Sequence, residues 1–160
     1  PFASDPKFQA LREEKKVNAG AQFFQTNLVY DPDRMEIWLN EIAKRNILNK
    51  VFIMIGITPL KSAKMTRFMN QVPGVYVPER IIKRMDEADA KGGPQGAQEE
   101  GVKIALEIIE KIKGKQGIHG LHIMPVGWED IVPRIVTEAN LLKTESAVPD
   151  ASRDAERVPA

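Results

Sequence analysis

Short apolar runs alternate along the chain with longer segments in which apolar residues return every three or four positions. The runs occupy residues 22–30, 50–57 and 120–124, the last ended by Pro125, and helical patterns precede the first and follow each of them. That rhythm predicts an α/β fold, a parallel sheet joined by crossover helices. The middle run, Val51-Phe-Ile-Met-Ile-Gly-Ile57, is apolar at consecutive positions, as in a strand covered on both faces.

The helical segments carry their own start and stop signals. Phe8, Leu11 and residues 15–17 predict a short helix that Asn18-Ala19-Gly20 stops, since Gly20 can take the left-handed closing conformation. Asp31-Pro32 reads as an N-cap followed by a first-turn proline, and Met35, Trp38, Leu39 and Ile42 form one inward stripe ending near Asn46. Residues 62–70 predict a further helix, Gln71-Val-Pro-Gly74 a turn, and Val77-Pro78 the start of a helix with Ile81, Ile82 and Met85 inward.

Residues 91–96 are the most flexible stretch by composition. They precede the longest helical pattern, 98–113, whose core face is Val102, Ala105, Leu106, Ile109 and Ile112, with an i, i+4 pair between Glu107 and Lys111. The last helix, 128–142, must kink or start late because Pro133 lacks the N–H of an interior turn. From Thr144 the composition turns polar and proline-containing, giving a domain over 1–143 and a polar, disordered tail over 144–160.

Composition narrows the function. A chain of 160 residues with 42% hydrophobic content supports one modest domain. Twenty-three Lys and Arg against 22 Asp and Glu leave a charge of +1, which lacks the cationic field of a nucleic-acid binder or a polybasic membrane anchor. A small molecule is therefore the expected partner, with no nucleic acid and no membrane. The absence of Cys removes disulfides and thiolate chemistry, and only His119 and His122 could serve as imidazole ligands. No apolar run approaches the roughly 20 residues of a membrane helix, and the first residues carry no signal pattern, so a cytoplasmic location is expected.

Three βα units form either an open sheet or part of a barrel. A complete (β/α)8 barrel takes about 250 residues, and this chain opens on Pro1 rather than Met. The expectation is a piece of a TIM barrel, its last three units, with the earlier ones upstream.

Ligands of parallel α/β proteins sit at the carboxyl ends of the strands. That rule nominates Gln25, Thr26, Asn27 and Asp31, then residues 58–64, then 124–129. Gln25 and Asn27 share one parity, and a carboxamide offers the donor and acceptor that suit a pterin, flavin or nicotinamide edge. A hydrogen-bonded strand end is the competing reading. Lys15 and Lys16 either neutralise a diphosphate or form a solvated face. Met65 and Met69, one helical turn apart, either line an aromatic slot or belong to the core, and Trp128 is read as core. His122 is expected to be packed and internally bonded, and His119 to lie in a loop. Gly92-Gly-Pro-Gln-Gly96 lacks the Lys-Ser/Thr ending of a phosphate loop.

Lys16-Val-Asn-Ala-Gly-Ala21, followed by Phe23 and then Thr26-Asn27-Leu-Val-Tyr-Asp31, resembles the signature of methylenetetrahydrofolate reductases. Gly56-Ile-Thr-Pro59, Val75-Tyr-Val-Pro78, Gly101 and Gly117-Ile-His-Gly-Leu-His122 resemble later segments of that family in the same order, over about residues 8–142. The resemblance implies an eight-stranded barrel in which FAD passes hydride from NADH or NADPH to 5,10-methylenetetrahydrofolate, yielding the 5-methyl form. This chain would supply strands six to eight.

By the same resemblance Arg12, Lys15 and Lys16 lie near the flavin diphosphate, Asn27 stands where the family usually has Gln facing the pterin, with Gln25 beside it, and Met65 and Met69 flank the folate. The family's acidic proton donor belongs to earlier strands. A homo-oligomer or an electron-donating partner subunit is compatible with this picture. Two rival readings are a pterin-binding methyltransferase barrel serving a corrinoid partner and a non-catalytic accessory fragment.

Overall fold

The computed structural model describes residues 5–142; the tail expected at 144–160 lies outside them. Helix α1 (Pro6–Asn18) leads into strand β1 (Phe23–Leu28), then α2 (Pro32–Ala43), β2 (Phe52–Ile57), α3 (Ala63–Met69), α4 (Glu79–Ile112), β3 (Gly120–Ile123) and, after a 3-10 turn at Glu129–Ile131, α5 (Val132–Glu138). The strands form one parallel sheet in the order β1-β2-β3. This is the predicted α/β alternation, with each strand within two residues of its expected start.

The caps follow sequence chemistry. Asp5 accepts hydrogen bonds from the Lys7 and Phe8 N–H groups, Asp31 accepts from Arg34 N–H, and Ser62 Oγ accepts from Met65 N–H. Met35, Trp38, Leu39 and Ile42 are all buried, as their spacing predicts. Pro133 begins α5 late, in its first turn. In α1, however, Phe8 and Leu11 face outward and Gln9 and Ala10 are the buried pair.

The two faces of the sheet differ. Ile53, Ile55 and Ile57 of β2 are at most 1% exposed beneath the helices. On the opposite face Phe23 and Phe52, paired in register, are 58% and 64% exposed. Coverage on both faces was expected of β2, and only one face is covered among the described residues. β1 and β3 each pair on one side only, and an apolar groove of about 460 Å³ lined by Ile118, Leu121, Ile123, Val136 and Leu141 runs beside β3.

The stretch around Gly92-Gly93-Pro94 is a sharp helical reversal rather than a loose linker. Helicity continues from Glu79 to Ile112 except at Gly93, where φ is 60° and ψ −154°. The halves fold side by side, which brings Arg84 against residues 16 and 23 positions later. Its Nε donates to Glu100 at 2.7 Å, and Nη1 and Nη2 donate to the two Glu107 oxygens at 2.6 and 2.8 Å. Glu107 therefore pairs across the hairpin, and Lys111 acts on it only as a weaker neighbouring charge.

The Arg84 hydrogen bonds hold the Glu107 carboxyl below the usual glutamate value of 4.5, against an opposing effect of burial. A depressed carboxylate stabilises the fold above its unfolded-state value, and that contribution disappears as pH falls through the folded one. Arg84→Met is expected to cost up to about 1 kcal/mol near neutral pH, the pair being largely exposed. The cost should vanish well below pH 4.5. Denaturant midpoints measured across that range check this.

Candidate functional site

The candidate site begins with a defect in the β1–β2 ladder. Gln25 pairs with Met54, but the next matched residues are Leu28 and Gly56, so Thr26 and Asn27 together stand opposite Ile55. This is a bulge at the carboxyl end of β1, a feature that re-aims side chains. Thr26 Oγ1 accepts the Gly56 N–H at 3.0 Å and donates to the Asn27 carbonyl at 2.8 Å. The fit requires glycine at position 56, where a Cβ would lie 2.8 Å from the Thr26 carbonyl oxygen and 3.0 Å from that of Asn27.

Beyond the bulge the Asn27 side chain is held from two directions. Its Nδ2 donates to the Pro73 carbonyl at 3.1 Å and its Oδ1 accepts the Leu28 N–H at 2.8 Å. One N–H and part of the carbonyl's accepting capacity are left over. Asn27 is thus a hydrogen-bonded strand end, one of the two sequence readings, and its side chain is exposed.

A cleft of about 180 Å³ runs along this end of β1, lined by Glu13 and Lys16 of α1, Phe24 through Asn27 of β1, and Trp38 of α2. It brings Lys16, Gln25 and Asn27 together although they come from separate elements. Lys16 Nζ bonds Glu13 at 2.9 Å and lies 5.7 Å from the Phe24 ring centroid, a cation–π contact. Arg12 and Lys15 are exposed on the same helix outside the cleft lining, and neither forms an ion pair among the described residues. Lys15 and Lys16 also occupy the last turn of α1, where cations offset the helix dipole.

The methionines fall elsewhere. Met69 is 5% exposed and part of the core, while Met65 is half-buried against it, and neither lines the cleft. Trp128 is core, as expected. His119 lies in the loop just before β3, as expected, but it rather than His122 is the internally bonded histidine. His119 Nδ1 accepts the Ile53 N–H at 3.2 Å and its ring meets Phe52 edge-on at 4.9 Å, whereas His122 is half-exposed with no side-chain hydrogen bond among the described residues. His119 directly precedes β3, so its backbone and ring both address β2.

Lys61 Nζ bridges the loops after β2 and β3 by donating to the Gly127 carbonyl at 2.9 Å. Tyr30 and Thr58, at the ends of β1 and β2, bury their hydroxyls without a well-formed bond. Burial pushes the Tyr30 pKa up, against a smaller lowering by Thr58, so the phenol stays protonated. Among the described residues no three His, Asp or Glu side chains gather as a metal site, and no helix is long and apolar enough to cross a membrane.

The family model for methylenetetrahydrofolate reductase matches residues 1–140. The chain belongs to that family. Methylenetetrahydrofolate reductase 2 of Schizosaccharomyces pombe is 29% identical over 132 residues, which is 80% of this chain and 20% of that protein. Methylenetetrahydrofolate reductase 2 of Saccharomyces cerevisiae is 24% identical over 142 residues, 89% of this chain and 23% of the relative. The chain thus spans about a fifth of the length of these curated relatives.

Among solved structures, an uncharacterized protein from Clostridium thermocellum that binds two copies of 5-methyl-5,6,7,8-tetrahydrofolic acid shares the fold. The TM-score is 0.60 at 20% identity, over 83% of this chain and 47% of that one. In this methylenetetrahydrofolate reductase family chain, the Thr26–Gly56 bulge and Glu13 were not singled out by sequence, and Trp38 was read only as core. Glu13, three residues before Lys16, was the one partner that helical spacing could have offered.

Proposed function

We propose that this chain is the closing part of a flavin-dependent methylenetetrahydrofolate reductase barrel. It works with further parallel βα units that pair with β1 and β3 and cover Phe23 and Phe52. Three parallel strands cannot close a barrel, and the bare face and single-sided edges fit a wall of one. The carrying observation is that Lys16 of α1 and residues Gln25 and Asn27 of β1 line one cleft.

The residues fit the group. Arg12, Lys15 and Lys16 supply cations for the diphosphate of FAD, whereas a cleft of about 180 Å³ is smaller than the roughly 300–1,000 Å³ of a cofactor pocket. It accommodates part of the ligand, and the missing wall falls where another strand would pair. When bound, the flavin supplies hydride transfer to the one-carbon unit of the folate, with NADH or NADPH as the source. The residues of this chain bind and orient: the cations hold the diphosphate, and the spare N–H and carbonyl capacity of Asn27 meets the pterin edge with Gln25 beside it. Met65 is partly accessible, as a folate contact requires, whereas the burial of Met69 favours a packing role. The neighbour that binds 5-methyltetrahydrofolate supports a folate ligand. The cytoplasm, where this redox chemistry finds its nicotinamide donor, is the proposed location.

Asn27→Ala in the polypeptide carrying this chain is expected to weaken 5-methyltetrahydrofolate binding about tenfold, the size of one ligand hydrogen bond, with flavin retained. Titration calorimetry on the flavin-loaded protein measures it. Unchanged folate affinity would remove Asn27 from the site.

A further inference from the structure

We propose that the Thr26 hydroxyl is a positioning group that sets the direction of the Asn27 carboxamide and thereby the folate affinity of the cleft, an inference that rests on the reading of Asn27 as a folate contact. In a regular parallel ladder the Gly56 N–H would bond a β1 carbonyl. At the bulge the Thr26 hydroxyl also accepts from that Gly56 N–H, at 3.0 Å. Its own proton goes to the Asn27 carbonyl at 2.8 Å.

One buried hydroxyl therefore satisfies two backbone groups and fixes the peptide that carries the Asn27 side chain. Thr26 is 8% exposed, so water is a poor substitute. The neighbouring residues leave little slack, because even a Cβ at position 56 would lie 2.8 Å from the Thr26 carbonyl oxygen and 3.0 Å from that of Asn27. Asn27 reaches the Pro73 carbonyl and Leu28 N–H from this backbone, leaving one N–H and one acceptor site of its amide unused.

A double-mutant cycle tests this in the flavin-loaded polypeptide carrying the chain, using 5-methyltetrahydrofolate as the probe and melting temperature and flavin content as folding readouts. Thr26→Val, which keeps the shape and loses the hydroxyl, is expected to weaken folate binding about tenfold, and Thr26→Ser to restore it to within about threefold. In an Asn27→Ala background Thr26→Val should add nothing.

Equal weakening by Thr26→Val in both backgrounds would overturn the proposal, since Thr26 would then act independently of Asn27. So would unchanged affinity in Thr26→Val while Asn27→Ala weakens binding, an outcome that leaves the folate site itself standing. Unchanged affinity in Asn27→Ala would remove the folate reading and this inference with it. If Thr26→Val fails to fold, Thr26→Ala against Thr26→Ser makes the same comparison without added bulk.

Discussion

Gly101→Ala is expected to destabilise the fold by about 3 kcal/mol or more, at the upper end of what over-packing costs. The second half of α4 crosses the chain just after β2 with backbone against backbone. A Cβ at position 101 would overlap the Leu60 carbonyl oxygen and lie 2.8 Å from its carbon. Leu60 is 1% exposed, and Val102, Ile104 and Ala105 pack on either side, so no rotamer change can make room and the helix must move off the sheet. Gly92→Ala is the internal control. Nothing lies within 4 Å of a Cβ there and the position is helical, so alanine should stabilise by about 0.5–1 kcal/mol. Chemical denaturation of the two variants beside the parent measures the contrast, and a Gly101→Ala midpoint equal to the parent's would contradict the packing described.

Lys16→Ala is expected to weaken flavin binding by about ten- to a hundredfold, as loss of a charge-assisted bond to a diphosphate would. Stability should change little, because the Lys16–Glu13 pair is a surface ion pair with the lysine 53% exposed. Glu13 competes with any anion for this ammonium group. Glu13→Gln should therefore tighten flavin binding a few-fold, opposite in sign to the lysine change. Equilibrium dialysis with FAD reads both effects. Flavin affinity unmoved by Lys16→Ala would assign Lys15 and Lys16 to the solvated end of α1, where they complement the helix dipole.

The parts of the fold legible in the sequence are those fixed by local chemistry. Strand positions, the Asp31 and Ser62 caps, the Met35–Ile42 stripe and the late start at Pro133 all follow from neighbours in the chain. What escaped depends on distant pairing. Alternation of exposed and buried residues continues unbroken through β1, so nothing local marks the bulge at Thr26 and Asn27. The partnership of Arg84 with Glu107 needs the reversal at Gly93, and glycine and proline there read equally well as a loop. His119 was assigned to a loop because the strand begins one residue later, yet its ring bonds the adjacent strand.

The candidate site was half legible for the same reason. Residue chemistry nominated Lys16, Gln25 and Asn27, and only folding shows that they share a cleft with Glu13 and Trp38. The glycines at 56 and 101 carried family resemblance without a visible cause. Their cause is close backbone approach, which no single segment reveals.

The central claim is that this chain helps to form a site holding flavin and folate together. It is tested most directly by mixing the oxidised polypeptide that carries the chain with 5-methyltetrahydrofolate in the absence of oxygen. Hydride passing from the 5-methyl group to flavin would bleach the flavin absorbance and leave the 5,10-methylene form, and that is the expected result. A protein that purifies without flavin and takes none up, or one whose flavin keeps its colour under saturating folate, would contradict the account.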